Sequence, residues 1–162
     1  MKHVVLSMIM MCSLAVSAQN EPTEWFTPTH FKVEIEEMYP ERYAPRVGAM
    51  HEFSLTLSGD SAMVYLPYLG QVHTAVFHAD GLNFDHKYSD MKIGTTRKRD
   101  GLVVAFSMRH LTVDYRFAVT VYKNHEAEIM VQPMGADMCR YVGTWKPTVK
   151  IVEASDAEEK SK

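Results

Sequence analysis

Five side chains that could bind a metal ion fall within 14 residues near the middle of the chain. They are His73, His78, Asp80, Asp85 and His86, and imidazole and carboxylate groups of this kind bind zinc. If the segment is a strand, His73 and His78 are five residues apart and face opposite sides of it. No paired-histidine metal motif is present. We therefore predict no metal and no cofactor, and a metal-dependent hydrolase using His73 and His78 is the least favoured function.

Nucleophilic and acid–base catalysis find little support in the sequence. The Gly-x-Ser-x-Gly nucleophile motif is absent. Cys139 stands alone, and a lone cysteine is more commonly a small buried side chain than a reactive thiolate. Glu34 with Glu36, and Glu126 with Glu128, are spaced as neighbours on the solvated face of a strand. The sequence thus predicts a protein that is not an enzyme.

An aromatic segment, Val64-Tyr65-Leu66-Pro67-Tyr68-Leu69-Gly70, follows the turn sequence Ser58-Gly59-Asp60. Pro67 is expected to end a strand, because proline lacks the amide donor that a central strand needs. Gly70 is expected to permit a sharp exit at a backbone angle that other residues resist. We interpret the segment first as a structural corner and second as a recognition surface. The candidate binding surface is Tyr65, Tyr68, Leu69, Gly70, His73 and Phe77.

Apolar and polar residues alternate along most of the remaining chain, and a period of two predicts strands. Phe31, Val33 and Ile35, for example, share one face. Turn sequences containing glycine separate successive apolar runs, which is typical of hairpins. We predict a single antiparallel all-β domain over residues 31–152. It is built from hairpins, with seven to nine strands forming a two-sheet sandwich or a small flattened barrel.

The first 18 residues have the features of a secretory signal peptide. Lys2 gives a positive start, an apolar run extends from Val4 to Val16, and Val16-Ser17-Ala18 matches a signal-peptidase site. The run is too short to span a bilayer, which needs roughly 20 residues. Large residues before Cys12 disfavour a lipoprotein anchor. We predict an exported protein, periplasmic or extracellular, that is soluble rather than lipid-anchored.

The two flanks of the predicted domain are irregular. Residues 19–30 contain two prolines and predict an extended lead-in, while residues 153–162 predict a disordered charged tail. Loss of Lys2 with the leader changes the formal net charge from −3 to −4, which disfavours nucleic acid or an anionic membrane as a partner. Removal of Cys12 leaves Cys139 alone, so no intramolecular disulfide can form.

Four short motifs occur in order along the chain: Met38-Tyr39-Pro40, the aromatic segment 64–70, Gly81-Leu82-Asn83-Phe84 and Tyr141-Val142-Gly143. Their order resembles a family of exported bacterial proteins, domain-of-unknown-function family 4251. The resemblance spans about residues 31–145, and Leu69 departs from it because an aromatic residue is usual there. It implies an exported domain with this order of strands. It implies no activity, since the family has none assigned.

These observations predict an exported, non-enzymatic β-domain that acts as a binding or interaction module. Its partner is expected to be an envelope protein or a small apolar ligand. A first alternative is a carrier with a small apolar ligand in an interior pocket, which would have a cavity of a few hundred Å³. An interaction module would instead have a solid core with an exposed aromatic or edge-strand surface. The hydrolase alternative would bring its histidines together within metal-bonding distance.

Overall fold

Ten β-strands form the folded part of the protein in a computed structural model that describes residues 25–48, 50–73, 81–96 and 100–148. In chain order they are β1 (His30–Pro40), β2 (Arg46–Val47), β3 (Ser54–Ser58), β4 (Ser61–Leu66), β5 (Leu82–Lys87), β6 (Ser89–Thr95), β7 (Gly101–His110), β8 (Val113–Tyr122), β9 (Glu126–Pro133) and β10 (Cys139–Pro147). The all-β prediction is confirmed. Within these ranges, the chain has no helix long and apolar enough to cross a bilayer.

The strands make one antiparallel sheet in the order β5-β4-β3-β1-β10-β9-β8-β7-β6, and it is nearly closed into a barrel. Of the two predicted arrangements, the barrel is therefore the observed one. The strand count exceeds the predicted seven to nine because Arg46–Val47 pairs with Glu37 and Met38 of β1. That two-residue strand directly follows Pro45.

The two end strands, β5 and β6, are consecutive in the chain but are not paired with each other. Contacts between inward-facing side chains of β5 and the neighbouring strands bridge this gap. Phe84 of β5 stacks on His110 at the end of β7, with 4.7 Å between ring centroids and 9° between planes. It also packs against Tyr115 of β8 at 5.0 Å. Aromatic packing thus spans the open side of the barrel.

In strand β1, the period of two in the sequence predicts most of the buried side chains but not all of them. Phe31, Val33 and Ile35 are fully buried, as their alternation predicted. A bulge between Ile35 and Glu37 then shifts the pairing with β10 by one residue, so that Met38 also faces inward. Bulges of this kind bend a strand and increase its twist, as barrel closure requires.

The bulge coincides with a close approach of two backbones. Gly143 of β10 pairs with Ile35, and a Cβ atom at Gly143 would lie 1.9 Å from the carbonyl oxygen of Glu34. Only glycine allows the strands to come this near. The glycine of the fourth sequence motif therefore has a structural explanation in the pairing of β1 and β10.

Aromatic side chains that precede β1 pack on the barrel where β1 begins and β10 ends. Phe26 is buried against Phe31 and Trp145, with centroid distances of 4.9 and 5.2 Å. The Trp145 indole donates a hydrogen bond to the carbonyl oxygen of Tyr122 at 2.8 Å.

Cys139 is buried and has a free thiol, and burial raises the pKa of that thiol.

Several predictions concern residues outside the described ranges. The leader at 1–18, most of the lead-in and the tail at 153–162 are among them, as are Phe77, His78 and Asp80. They stay predictions.

Candidate functional site

Two tyrosines fix the aromatic segment where β4 ends. The hydroxyl of Tyr141, on β10, donates to the carbonyl oxygen of Pro67 at 2.6 Å. The hydroxyl of Tyr68 donates to the carbonyl oxygen of Asp137 at 2.5 Å. Burial raises the pKa of both phenols, so both stay protonated and remain donors at neutral pH. The second and fourth sequence motifs therefore meet in space, 74 residues apart.

Glycine is required at position 70 for a reason that differs from the expected one. Its φ is not in the left-handed region, so an unusual backbone angle is not what requires glycine. A Cβ atom at Gly70 would instead lie 1.9 Å from the hydroxyl oxygen of Tyr68. The absent side chain makes room for the tyrosine two residues earlier.

Asp137 is the buried charged residue of the described part of the chain, with 5% of its surface exposed. Its carboxylate accepts from the backbone amide of Gln71 at 3.0 Å and bonds to Nε2 of His73 at 2.9 Å. The Nε of Arg42 lies 3.1 Å away. We call these four residues the Asp137 cluster. The hydrogen bond from His73, aided by the Gln71 amide and the charge of Arg42, lowers the pKa of Asp137.

The Asp137 cluster ties the chain after the aromatic segment to the turn before β10. Backbone bonds reinforce it, since the His73 amide donates to the Gly135 carbonyl at 2.8 Å and the Asp137 amide donates to the Gln71 carbonyl at 3.1 Å. Sequence reasoning missed Asp137. Its only sequence signal is a carboxylate among small and apolar residues, and its partners lie 64 and more positions away.

An apolar cleft of about 370 Å³ opens on the other side of the aromatic segment. We call it the Met50 cleft. Its lining is mainly apolar and comes from β1, β2, the loop before β3 and the residues after β4: Met38, Arg46, Val47, Gly48, Met50, Phe53, Pro67, Tyr68 and Leu69. The predicted binding surface therefore contributes two residues to it, Tyr68 and Leu69.

Local hydrogen bonds hold the walls of the Met50 cleft. The Phe53 amide donates to the Met50 carbonyl at 2.9 Å, and the Ile35 amide donates to the Phe53 carbonyl at 3.0 Å. The Phe53 ring packs against Tyr65 at 5.1 Å between centroids. Tyr65, predicted as part of the surface, thus supports the cleft from behind. Its position follows from strand alternation, which turns it away from the core.

Arg46 and Val47 form the outer rim of the cleft, because β2 lies at the edge of β1. Both are exposed, and Val47 has 70% of its surface accessible. Within the described ranges no carboxylate pairs with the Arg46 guanidinium. The Met50 cleft therefore combines an apolar lining with one cation at its rim.

A second cavity, of about 430 Å³, lies among β6, β7, β8 and β9. It has charges of both signs in its lining, including Asp90, Arg109, Asp114 and Arg116. Arg109 and Asp114 face each other at 3.8 Å. This mixture gives no preference for one sign of ligand charge, which distinguishes it from the Met50 cleft.

The histidines that the sequence offered as candidate metal ligands separate in space. His73 is bound to Asp137, whereas His86 bonds to His110 on β7. In the part of the chain that the structure describes, no group of three or more histidine, cysteine, aspartate or glutamate side chains could hold a metal ion. Ser89 and Lys92 have the spacing of a Ser-x-x-Lys motif, but they lie on β6 and so lack the helical turn that juxtaposes such a pair.

Comparison with known proteins gives a family and a fold. The family model "Domain of unknown function (DUF4251)" matches residues 17–145. The crystal structure of a DUF4251 family protein from Bacteroides eggerthii DSM 20697 is similar, with a TM-score of 0.56 and 15% sequence identity over 74% of this chain and 80% of that one. A search of curated proteins found no match. The family model covers most of the sequence, so this chain belongs to the DUF4251 family.

Proposed function

We propose that this protein is a binding module whose Met50 cleft accepts a small amphipathic anion. The apolar part of the ligand fills the cleft, and its carboxylate or similar group lies against Arg46. The observation that carries this proposal is the combination of an apolar lining with an exposed guanidinium that no described carboxylate neutralises. Ligand sites are typically apolar concavities with a few placed polar groups.

The size of the cleft supports a small ligand. Pockets that bind small molecules span about 300–1,000 Å³, and this one, at about 370 Å³, is near the lower limit. It would accommodate a short acyl chain or a single large side chain.

The chemistry of the lining supports an apolar chain in particular. Met38 and Met50 present flexible thioether side chains that adapt to ligand shape, and Phe53 and Leu69 add rigid apolar surface. Removing such surface from water is worth about 25 cal/mol per Å². The Tyr68 hydroxyl is turned away to Asp137, so the ring offers its apolar part to the cleft.

The first alternative, a carrier with an interior pocket, has weaker support. Large side chains fill the barrel, and Phe31, Ile35, Leu55 and Tyr141 are each fully buried. An acyl chain would have to displace them, at the cost of native packing. The cleft, which lies outside this core, needs no such displacement.

Octanoate and 1-octanol provide a direct test because they share a chain length and differ in charge. We would label methionine methyl groups with ¹³C and titrate each probe into the protein. Octanoate is expected to shift the Met38 and Met50 signals while leaving Met63 and Met130 unchanged, since those two side chains are exposed elsewhere. Equal shifts of all four signals, or none at millimolar octanoate, would overturn the proposal.

Arg46→Gln separates the charge contribution from the apolar one. An exposed ion pair contributes about 0.2–1 kcal/mol, so we expect octanoate to bind about 1.4- to fivefold more weakly and 1-octanol to bind as before. Arg116→Gln is the matched control, because Arg116 is an exposed arginine of β8 that does not line the cleft. Equal weakening of both probes in Arg46→Gln would contradict the role of the charge.

A further inference from the structure

We propose that His86 and His110 form a two-histidine binding site for a divalent transition-metal ion, Zn²⁺ or Cu²⁺, at the gap between the end strands of the barrel. Nε2 of His86 lies 2.8 Å from Nδ1 of His110. This inference is independent of the Met50 cleft. It joins His86, one of the five candidate ligands in the sequence, to a histidine 24 positions later that was not among them.

Strand geometry brings the two imidazoles together. His86 follows Leu82 and Phe84 on the inward face of β5, and His110 follows Met108 on the inward face of β7. The two strands are not hydrogen-bonded to each other, so nothing in the backbone pairing fixes this contact. The side chains alone span the gap at this level of the barrel.

The surroundings orient the rings and leave one of them accessible. Phe84 stacks on the His110 ring at 4.7 Å and on the His86 ring at 5.9 Å. His86 is exposed at the surface, while His110 is half-buried. A metal ion arriving from solvent therefore meets an ordered ring on one side and an adjustable ring on the other, an arrangement that reduces the entropy lost on binding.

The distance between the nitrogens is close to that of a shared metal. Two imidazole nitrogens bound at about 2.0–2.1 Å to one tetrahedral Zn²⁺ lie roughly 3.3 Å apart. The rings must separate by only about half an ångström, which the exposed His86 side chain can supply by rotation. Metal binding replaces the hydrogen bond between the rings: the proton of that bond moves to the outer nitrogen of its own imidazole, and both neutral rings then present a nitrogen lone pair to the metal.

The choice of metal follows from the ligands. Imidazole nitrogen suits Zn²⁺, Cu²⁺ and Ni²⁺, and Cu²⁺ binds nitrogen sites most tightly among the divalent first-row ions. Two protein ligands leave further coordination positions for water or for a partner's side chain. We therefore expect a weak site, of micromolar affinity, with Cu²⁺ bound more tightly than Zn²⁺ and Mg²⁺ not bound.

Calorimetric titration of the untagged protein with ZnCl₂ and CuCl₂ tests the proposal. We expect one ion per chain at this site and at least a tenfold loss of affinity in both His86→Ala and His110→Ala. His51→Ala is the matched control, because His51 is an exposed histidine of the loop before β3, and it should bind as the wild type does. Unchanged affinity in His86→Ala, or an equal loss in His51→Ala, would overturn the proposal.

A second measurement guards against variants that simply unfold. Ligands that bind only the native state raise the melting temperature, so Zn²⁺ should raise it in the wild type and in His51→Ala. His86→Gln keeps a polar side chain at an exposed position, and its melting temperature should not respond to Zn²⁺. A response as large as that of the wild type would also contradict the site.

Discussion

The two sides of the aromatic segment contrast sharply. On one side, the Tyr68 hydroxyl, His73 and the Asp137 carboxylate are bound to groups of the chain itself. On the other side, the Tyr68 ring, Met50 and Phe53 surround a cleft that the described chain leaves open. Folding accounts for the first side, because buried polar groups need partners. The stability of the fold does not explain the second side, where apolar surface of the Met50 cleft remains accessible. For this reason we place the ligand in that cleft.

Gly143→Ala should have the largest effect on stability, because it disrupts the pairing of β1 with β10, on which both sides of the aromatic segment depend. Its Cβ atom would lie 1.9 Å from the Glu34 carbonyl oxygen and 3.0 Å from the Ile35 Cα, so β1 and β10 would have to separate. We expect the free energy of unfolding to fall by about 3 kcal/mol, measured by urea denaturation. Val142→Ala, at the neighbouring position, is the control and should lose less.

Asp137→Asn should act on the polar side alone. The amide cannot replace the carboxylate toward both His73 and Arg42, so the midpoint of urea unfolding should fall at neutral pH. Octanoate binding in the Met50 cleft should persist in the folded variant. An Asp137→Asn protein as stable as the wild type would show that the cluster contributes nothing to stability.

The pH dependence of that difference has a definite sign. The pKa of Asp137 is lowered in the folded state from 3.8, so the stabilisation is complete above pH 3.8 and is lost as the pH falls through the folded-state pKa. The gap in stability between wild type and Asp137→Asn should therefore be present above pH 3.8 and narrow as the pH falls below it. Asp85→Asn, an exposed change on β5, should show no such gap.

Gly70→Ala should affect both the Asp137 cluster and the Met50 cleft, but with a smaller loss of stability than Gly143→Ala. The new methyl group displaces the Tyr68 hydroxyl, which can swing away at the cost of its hydrogen bond to Asp137. We expect a loss of about 1 kcal/mol together with weaker octanoate binding, because the ring moves in the cleft wall. Tyr68→Phe removes the hydroxyl without moving the ring, and should lose stability while keeping its affinity for octanoate.

Val47→Ser should have the smallest effect on stability and act on the apolar side alone. Val47 is 70% exposed, and exposed substitutions usually change stability by less than about 0.5 kcal/mol. It should weaken octanoate and 1-octanol equally, in contrast to Arg46→Gln. If Val47→Ser weakened the binding of octanoate and 1-octanol unequally, Val47 would not act through apolar contact with the ligand chain.

The sequence predicted the parts of this molecule that depend on local pattern. Phe31, Val33 and Ile35 alternate because every second side chain of a strand faces one way, and Pro67 follows β4 because proline cannot continue the ladder. The Asp137 cluster joins residues more than 60 positions apart, so it depends on sheet order and register. Neither sheet order nor register can be predicted from local sequence pattern.

The candidate site shows the same division. The sequence predicts Tyr68 and Leu69 as site residues because the aromatic segment is unusual in its own right, and both line the cleft. It does not predict Arg46 and Met50. They reach the cleft only because β2 pairs with β1 beside the bulge, and local sequence pattern does not reveal that pairing.

Isotope-filtered nuclear Overhauser spectroscopy with ¹³C-labelled protein and unlabelled octanoate would show whether an amphipathic anion occupies the Met50 cleft. We predict contacts from the octanoate chain to the Met50 methyl and the Phe53 ring. Contacts from octanoate to exposed Met63 and Met130 alone, with none to the cleft, would contradict the account.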